Sequence, residues 1–115
     1  MLSPGFTLPR GTLTGLAEDL ASHGYVVAAV DHAYESAGTS FPSGLKTCVA
    51  CDIADPAEIP PVRAADVSFL LDRLTGRHPA WRYARVVDTR RIAMVGHSIG
   101  GASAATAAVD RKSVV

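Results

Sequence analysis

Residues 91–101, Arg91-Ile92-Ala93-Met94-Val95-Gly96-His97-Ser98-Ile99-Gly100-Gly101, constrain the fold of this chain more than any other stretch. Residues 91–95 are mostly apolar and read as a short buried strand. Gly96-x-Ser98-x-Gly100 follows. The small residues from Gly101 to Val109 then read as a tightly packed helix. Strand, G-x-S-x-G and helix in that order form a nucleophile elbow. The reason is steric. A serine held on a strained turn projects its hydroxyl above the sheet. A side chain at Gly96 or Gly100 would meet neighbouring strand or helix backbone, so both positions favour glycine. The helix starts directly under Ser98, and its unpaired N–H groups and positive dipole end face any oxyanion formed there.

The pattern alone also fits an ordinary glycine-rich strand-to-helix turn. A dinucleotide loop, G-x-G-x-x-G, would need glycine where Ser98 stands, and no phosphate-cradling G-x-x-x-x-G-K-[ST] occurs. Eleven basic and eleven acidic residues cancel in the 115-residue chain. No basic stripe points to nucleic acid and no acidic tail to a cationic partner. With 48% hydrophobic and 19% charged residues the composition is that of a globular domain. No apolar run approaches a membrane span, and residues 1–5 lack a signal-peptide pattern. Cys48 and Cys51 form one C-x-x-C in a loop. It cannot complete a four-ligand zinc site, and it does not stand at the helix start of a βαβ unit as a thioredoxin motif would. Incidental thiols or a local disulfide are expected, with no metal and no cofactor.

The chain in order alternates helices and strands. Residues 1–10 read as a loop. Thr12 is the expected N-cap of a helix reaching about His23, with Leu13, Leu16, Ala17, Leu20 and Ala21 on one face, ended by Gly24. Residues 25–30 form a continuous apolar, β-branched run, the signature of a strand buried on both faces of a parallel sheet. Asp31 and His32 follow at its C-terminal end, where open α/β sheets place ligands. The favoured reading is plainer: Asp31 caps the following turn and His32 packs beside it. Residues 33–60 are a long excursion, with a hairpin tip expected at Phe41-Pro42-Ser43-Gly44. Pro60-Pro61 open a helix over about 62–74, with Val62, Ala65, Phe69 and Leu70 on its apolar face and Arg63 and Asp66 paired on its surface. Trp81 and Tyr83 are read as loop packing, and Asp88 precedes the elbow strand. The alternation implies a parallel α/β sheet with helices on both faces.

Three blocks together resemble a known family. They are Ser3-Pro4-Gly5-Phe6, then residues 21–32 (Ala-Ser-His-Gly-Tyr-Val-Val-Ala-Ala-Val-Asp-His), then Gly96-His97-Ser98-Ile99-Gly100-Gly101. They are similar to α/β-hydrolases of the platelet-activating-factor acetylhydrolase group and the related bacterial cutinases and polyester hydrolases. The resemblance implies that Ser98 is the nucleophile. It implies an oxyanion hole made by the backbone N–H groups of Ile99 and Phe6. Pro4-Gly5 stands where acetylhydrolases often carry His-Gly and cutinases carry Pro-Gly. The implied chemistry is hydrolysis of a small-molecule or lipid ester through an acyl-enzyme, without metal. Removing one oxyanion donor would cost on the order of a hundredfold in rate.

The same resemblance makes residues 1–115 a partial α/β-hydrolase domain. It runs from the oxyanion loop to the nucleophile helix. The triad order is Ser, Asp or Glu, then His. Beyond Ser98 only Asp110 is acidic and no histidine remains. His97 should point away from Ser98, His23 sits at a helix end and His78 in a loop. The expectation is a chain that cannot turn over ester by itself. Its 25–30 and 91–95 strands would also lack the neighbour that pairs with both. Other readings of the same elbow are a peptidase or thioesterase, or a non-catalytic hydrolase-like chain.

Overall fold

The structure, a computed structural model, describes residues 1–53 and 55–110, without the side chain of Asp110. Its centre is a short parallel sheet. Strand β1 (Leu2–Ser3) pairs in parallel with β4 (Val95–Gly96), in the register Leu2 with Val95 and Ser3 with Gly96. On its other side β1 makes a parallel bridge from Leu2 to Ala29. The Leu2 amide donates to the Ala28 carbonyl at 2.8 Å, and the Val30 amide to the Leu2 carbonyl at 3.0 Å. Residues 1–3, read as loop from the sequence, are therefore extended and lie between the two longer apolar runs. This corrects the expectation that those runs lack a shared neighbour. Three residues suffice, because a parallel strand spends its amides and carbonyls alternately on its two neighbours.

Only the positions opposite β1 are regular, so the strands are shorter than the runs that contain them. Burial is also less than expected. Tyr25 is 65% exposed and Val26 48%, and Val95 is 48% exposed. Residues 25–30 are thus not buried on both faces: nothing covers the part that extends past β1. In 91–95 the alternation is of period two. Ile92 and Met94 pack on the core, while Ala93 and Val95 face outward.

Helix α1 (Thr14–Ser22) is preceded by a 3-10 turn at Arg10–Leu13. Its N-cap is Leu13 rather than Thr12, whose hydroxyl donates to the Pro9 carbonyl and tightens the turn instead. Its C-terminus closes as a Schellman motif. Gly24 takes φ +87°, its amide donates to Ala21, and the Tyr25 amide donates to Leu20. His23 Nδ1 lies 2.8 Å from the Asp19 carbonyl at the same helix end. None of the α1 side chains is buried, so the expected apolar face is only partly covered.

The excursion holds a hairpin, β2 (Thr39–Phe41) and β3 (Gly44–Lys46), turned at Pro42-Ser43 as read, with Gly44 at φ +112°. A Cys48–Cys51 disulfide and the short helix α2 (Ala50–Ile53) follow. Helix α3 (Ile59–Thr75) carries its prolines in the first turn, where their missing N–H costs nothing. It packs along α4 (Ile99–Asp110). The core is Ala64, Val67 and Leu71 of α3 against Ala107 of α4, closed by Met1, Ile92 and Met94. In α4, Gly100, Ser103 and Ala107 share the buried stripe, which lets the helices approach closely.

The buried face of α3 differs from the one read in the sequence. Ile59, Arg63, Ala64, Val67 and Leu71 are inside, whereas Val62 is 56% exposed and Phe69 67%. Arg63 and Asp66 do not pair with each other: Arg63 is buried on Glu35, and Asp66 meets His32. The right-handed rule for parallel crossovers puts α1 and the α3–α4 pair on opposite faces of the sheet, since the two connections cross it in opposite directions.

Candidate active site

Ser98 stands on the turn between β4 and α4 with φ +54°, the left-handed region that a non-glycine residue enters at a cost of about 1–3 kcal/mol. The neighbouring glycines make that turn possible. A Cβ on Gly96 would strike the Gly100 carbonyl group and lie 2.6 Å from the Gly101 nitrogen. A Cβ on Gly100 would strike the Ser3 carbonyl oxygen and lie 2.7 Å from that of Pro4. The strand, the turn and the helix are thus in backbone contact, and β1 is pressed against the first turn of α4. Ser98 is exposed.

The loop after β1 lies beside this turn. The His97 amide donates to the Ser3 carbonyl at 3.1 Å, and a Cβ on Gly5 would lie 2.9 Å from His97 Nδ1. The His97 ring therefore lies against Gly5. Among the described residues, neither the Phe6 nor the Ile99 amide donates to a protein acceptor. The next amides do: Thr7 donates to the Glu35 carbonyl at 3.0 Å, and Gly100 to the His97 carbonyl at 2.9 Å. No histidine hydrogen-bonds Ser98 among the described residues.

A Ser–His–Asp relay does exist, and it does not contain Ser98. Ser3 Oγ lies 3.0 Å from His32 Nε2, and His32 Nδ1 lies 2.8 Å from Asp66 Oδ2. Ser3 is fully buried and His32 is 2% exposed, so no substrate reaches this serine. Arg63 extends the network inward, donating from Nη1 to the Pro4 carbonyl at 2.6 Å and to Ser3 Oγ at 3.4 Å, and from Nε to Glu35 Oε2 at 2.6 Å. One assignment satisfies the whole relay: Arg63 donates to Ser3 Oγ, the Ser3 hydroxyl donates to Nε2, and Nδ1–H donates to Asp66. No buried side-chain polar atom among the described residues is left without a partner.

His32 thus packs as the plainer reading held, though on partners 29 and 34 residues away. Asp31 does not cap the following turn. Its carboxylate accepts from the Arg10 amide at 2.7 Å and from the Arg10 guanidinium, holding the start of the 3-10 turn. Trp81 and Tyr83 pack edge to face at 5.7 Å in the connection after α3. His78 is exposed, and the Asp110 side chain lies outside the described residues. The sequence reading placed Arg63 on the surface beside Asp66, and gave the Glu35 and Ser3 side chains no role. The signal for Arg63 was its position, four residues from both Ile59 and Val67. Its charge argued the other way.

A parallel sheet with a strand, a strained serine turn and a helix pressed on the sheet's backbone defines the α/β-hydrolase class. The chain has this fold, and it is similar to cutinases and to an acetylglycerophosphocholine esterase. A solved ferulic acid esterase from Streptomyces cinnamoneus superposes on 98% of the chain with a TM-score of 0.88 and 51% sequence identity, the chain covering 33% of that structure. The cutinase est2 of Thermobifida alba is 33% identical over 101 residues, 87% of this chain and 26% of the cutinase. A probable 1-alkyl-2-acetylglycerophosphocholine esterase of Arthroderma benhamiae is 28% identical over 90% of the chain and 25% of its own length. The chain spans 26–30% of the cutinases it matches. No family model matches the chain. Among the described residues no helix is long and apolar enough to cross a membrane.

Proposed function

We propose that this chain supplies the nucleophile and the oxyanion hole of a carboxylic ester hydrolase. Ser98 Oγ attacks the ester carbonyl after a base removes its proton. The oxyanion is held by the N–H groups of Phe6 and Ile99, the alcohol leaves, and water releases the acyl group from Ser98. The observation that carries this reading is Ser98 at φ +54°, between two glycines that leave no room for a Cβ. The unengaged amides at Phe6 and Ile99 support the oxyanion assignment. Those two donors are backbone groups, so Pro4-Gly5 serves as well as any other pair that brings the loop beside the turn. His97 is not the base: its ring lies on Gly5 rather than on Ser98.

The substrate is a small-molecule or lipid ester. Esters of ferulic acid are the first to test, because the ferulic acid esterase is 51% identical to this chain and the cutinases 29–33%. The test is steady-state kinetics on the protein that carries this chain. Substrates are a nitrophenyl acetate, a ferulate ester, an acetylated glycerophospholipid and a peptide. Ester turnover should fall by about 10,000-fold or more in Ser98→Ala, with the protein still folded. Wild-type kcat in that variant would reduce Ser98 to a turn residue. Cleavage of the peptide alone would favour the peptidase reading.

A further inference from the structure

We propose that Arg63 and Glu35 are positioning residues for the Phe6 amide. Arg63 holds the start of the oxyanion segment, and the ion pair fixes the residue whose backbone carbonyl holds its end, a role that rests on the esterase reading above. The loop between β1 and the 3-10 turn runs from Pro4 to Pro9, and its first part, Pro4 to Thr7, is anchored at one end by the Arg63 guanidinium and at the other by the backbone carbonyl of Glu35. At one end, Arg63 Nη1 donates to the Pro4 carbonyl at 2.6 Å. At the other, the Thr7 amide donates to the Glu35 carbonyl at 3.0 Å, and the Thr7 carbonyl accepts from the Ala37 amide at 2.9 Å. Arg63 Nε closes the circuit on Glu35 Oε2 at 2.6 Å. The Gly5–Phe6 peptide, whose N–H is the proposed donor, is the part of the loop left between the two anchors.

The geometry suits positioning more than stabilisation. Arg63 and Glu35 are 1% and 6% exposed, so the pair works at low dielectric and solvent does not compete for the Pro4 carbonyl. A buried ion pair is a poor way to gain stability, since desolvation offsets most of the attraction. The guanidinium fork, however, can hold a carboxylate with one nitrogen and a carbonyl with another in fixed directions. Thr7 takes φ +70°, a backbone state that the surrounding hydrogen bonds hold in place. Arg63 reaches neither the Phe6 amide nor Ser98. It acts through the loop, and so it should govern transition-state stabilisation rather than substrate capture.

The substitution that separates the roles is Arg63→Lys. It keeps the positive charge beside Glu35, but a single ammonium lacks the fork that spans Glu35 and the Pro4 carbonyl. In the protein that carries this chain, Arg63→Lys should lower kcat for a nitrophenyl ester about 10- to 100-fold, with KM changed less than about twofold. Glu35→Gln should lie between it and wild type. Amide hydrogen exchange reads the clamp without activity. Thr7 exchange should accelerate at least tenfold in Arg63→Lys, while Val67 and Leu71 in the core keep their protection. A folded Arg63→Lys protein with wild-type kcat, or with unchanged Thr7 exchange, would overturn the proposal. So would equal loss of protection at Val67 and Leu71, which means simple unfolding. Ser98→Ala measured alongside distinguishes the failures. If it abolishes turnover while Arg63→Lys does not, the clamp is wrong and the esterase reading stands. If Ser98→Ala retains turnover, both fall.

Discussion

Gly100 and Gly5 lie a few ångströms apart, yet they differ in what surrounds them. A methyl group on Gly100 meets backbone: the Ser3 carbonyl oxygen, fixed by the sheet, and that of Pro4, held by Arg63. A methyl on Gly5 meets the ends of two side chains, His97 Nδ1 at 2.9 Å and Leu8 Cδ1 at 3.3 Å, which can turn aside. Gly100→Ala is therefore expected to cost about 1–3 kcal/mol, by prising α4 from β1. Gly5→Ala should stay below about 1 kcal/mol. Thermal unfolding of the two variants checks this, and a smaller loss at Gly100 would mean the turn is looser than its geometry. The glycines at 96 and 100 were legible in the sequence because their role is steric and local. Arg63 was not: its burial depends on Glu35, 28 residues away and without periodicity to announce it. Ser3 and Asp66 were hidden for the same reason. Each is polar, and each is satisfied only by a partner distant in the chain.

At the scale of elements, α3 shows how a helix chooses its buried stripe. Two stripes compete on its surface. One runs through Val62, Ala65, Phe69 and Leu70, and the other through Ile59, Arg63, Val67 and Leu71. Apolar content favours the first, and the chain buries the second because Arg63 finds both Glu35 and the Pro4 carbonyl there. Leu71, 4% exposed in the α3–α4 core, should cost about 2–5 kcal/mol as Leu71→Ala. Phe69→Ser, at a side chain two-thirds exposed, should change the stability of this chain by no more than about 0.5 kcal/mol. Urea denaturation of both variants decides between the stripes, and a larger loss at Phe69 would restore the face read from the sequence. Boundaries set by local chemistry were legible: Gly24 ends α1, Pro60-Pro61 open α3, and Pro42-Ser43 turns the hairpin. Strand burial was not, since a strand is buried only where another element lies over it.

For the whole molecule, the core lies between α3, α4 and the sheet, and much apolar surface remains outside. Tyr25, Val26, Val95 and Phe69 are each about half exposed or more, and Ile53 and Val109 are each 78% exposed. Such surface, with strand edges beyond β1, favours association. Expressed by itself, the 115-residue chain should show concentration-dependent self-association by sedimentation. It should also show no measurable turnover of a nitrophenyl ester, since no described histidine bonds Ser98. A monodisperse chain with Ser98-dependent turnover would contradict both expectations and would require an upstream histidine to reach the serine. The α/β class and the elbow were legible over the entire chain because strand, turn and helix periodicities agree there. The middle layer, the polar network under the oxyanion loop, was not.

A nucleophilic Ser98 beside an oxyanion hole should react with a fluorophosphonate probe. Its phosphoryl oxygen occupies such a hole while its phosphorus bonds the serine. The protein that carries this chain is treated with the probe, digested, and the adduct located by mass spectrometry. One adduct is expected, on the peptide containing Ser98, absent in Ser98→Ala. An adduct on another residue, or ester hydrolysis that survives with Ser98 unlabelled, would contradict a nucleophilic Ser98.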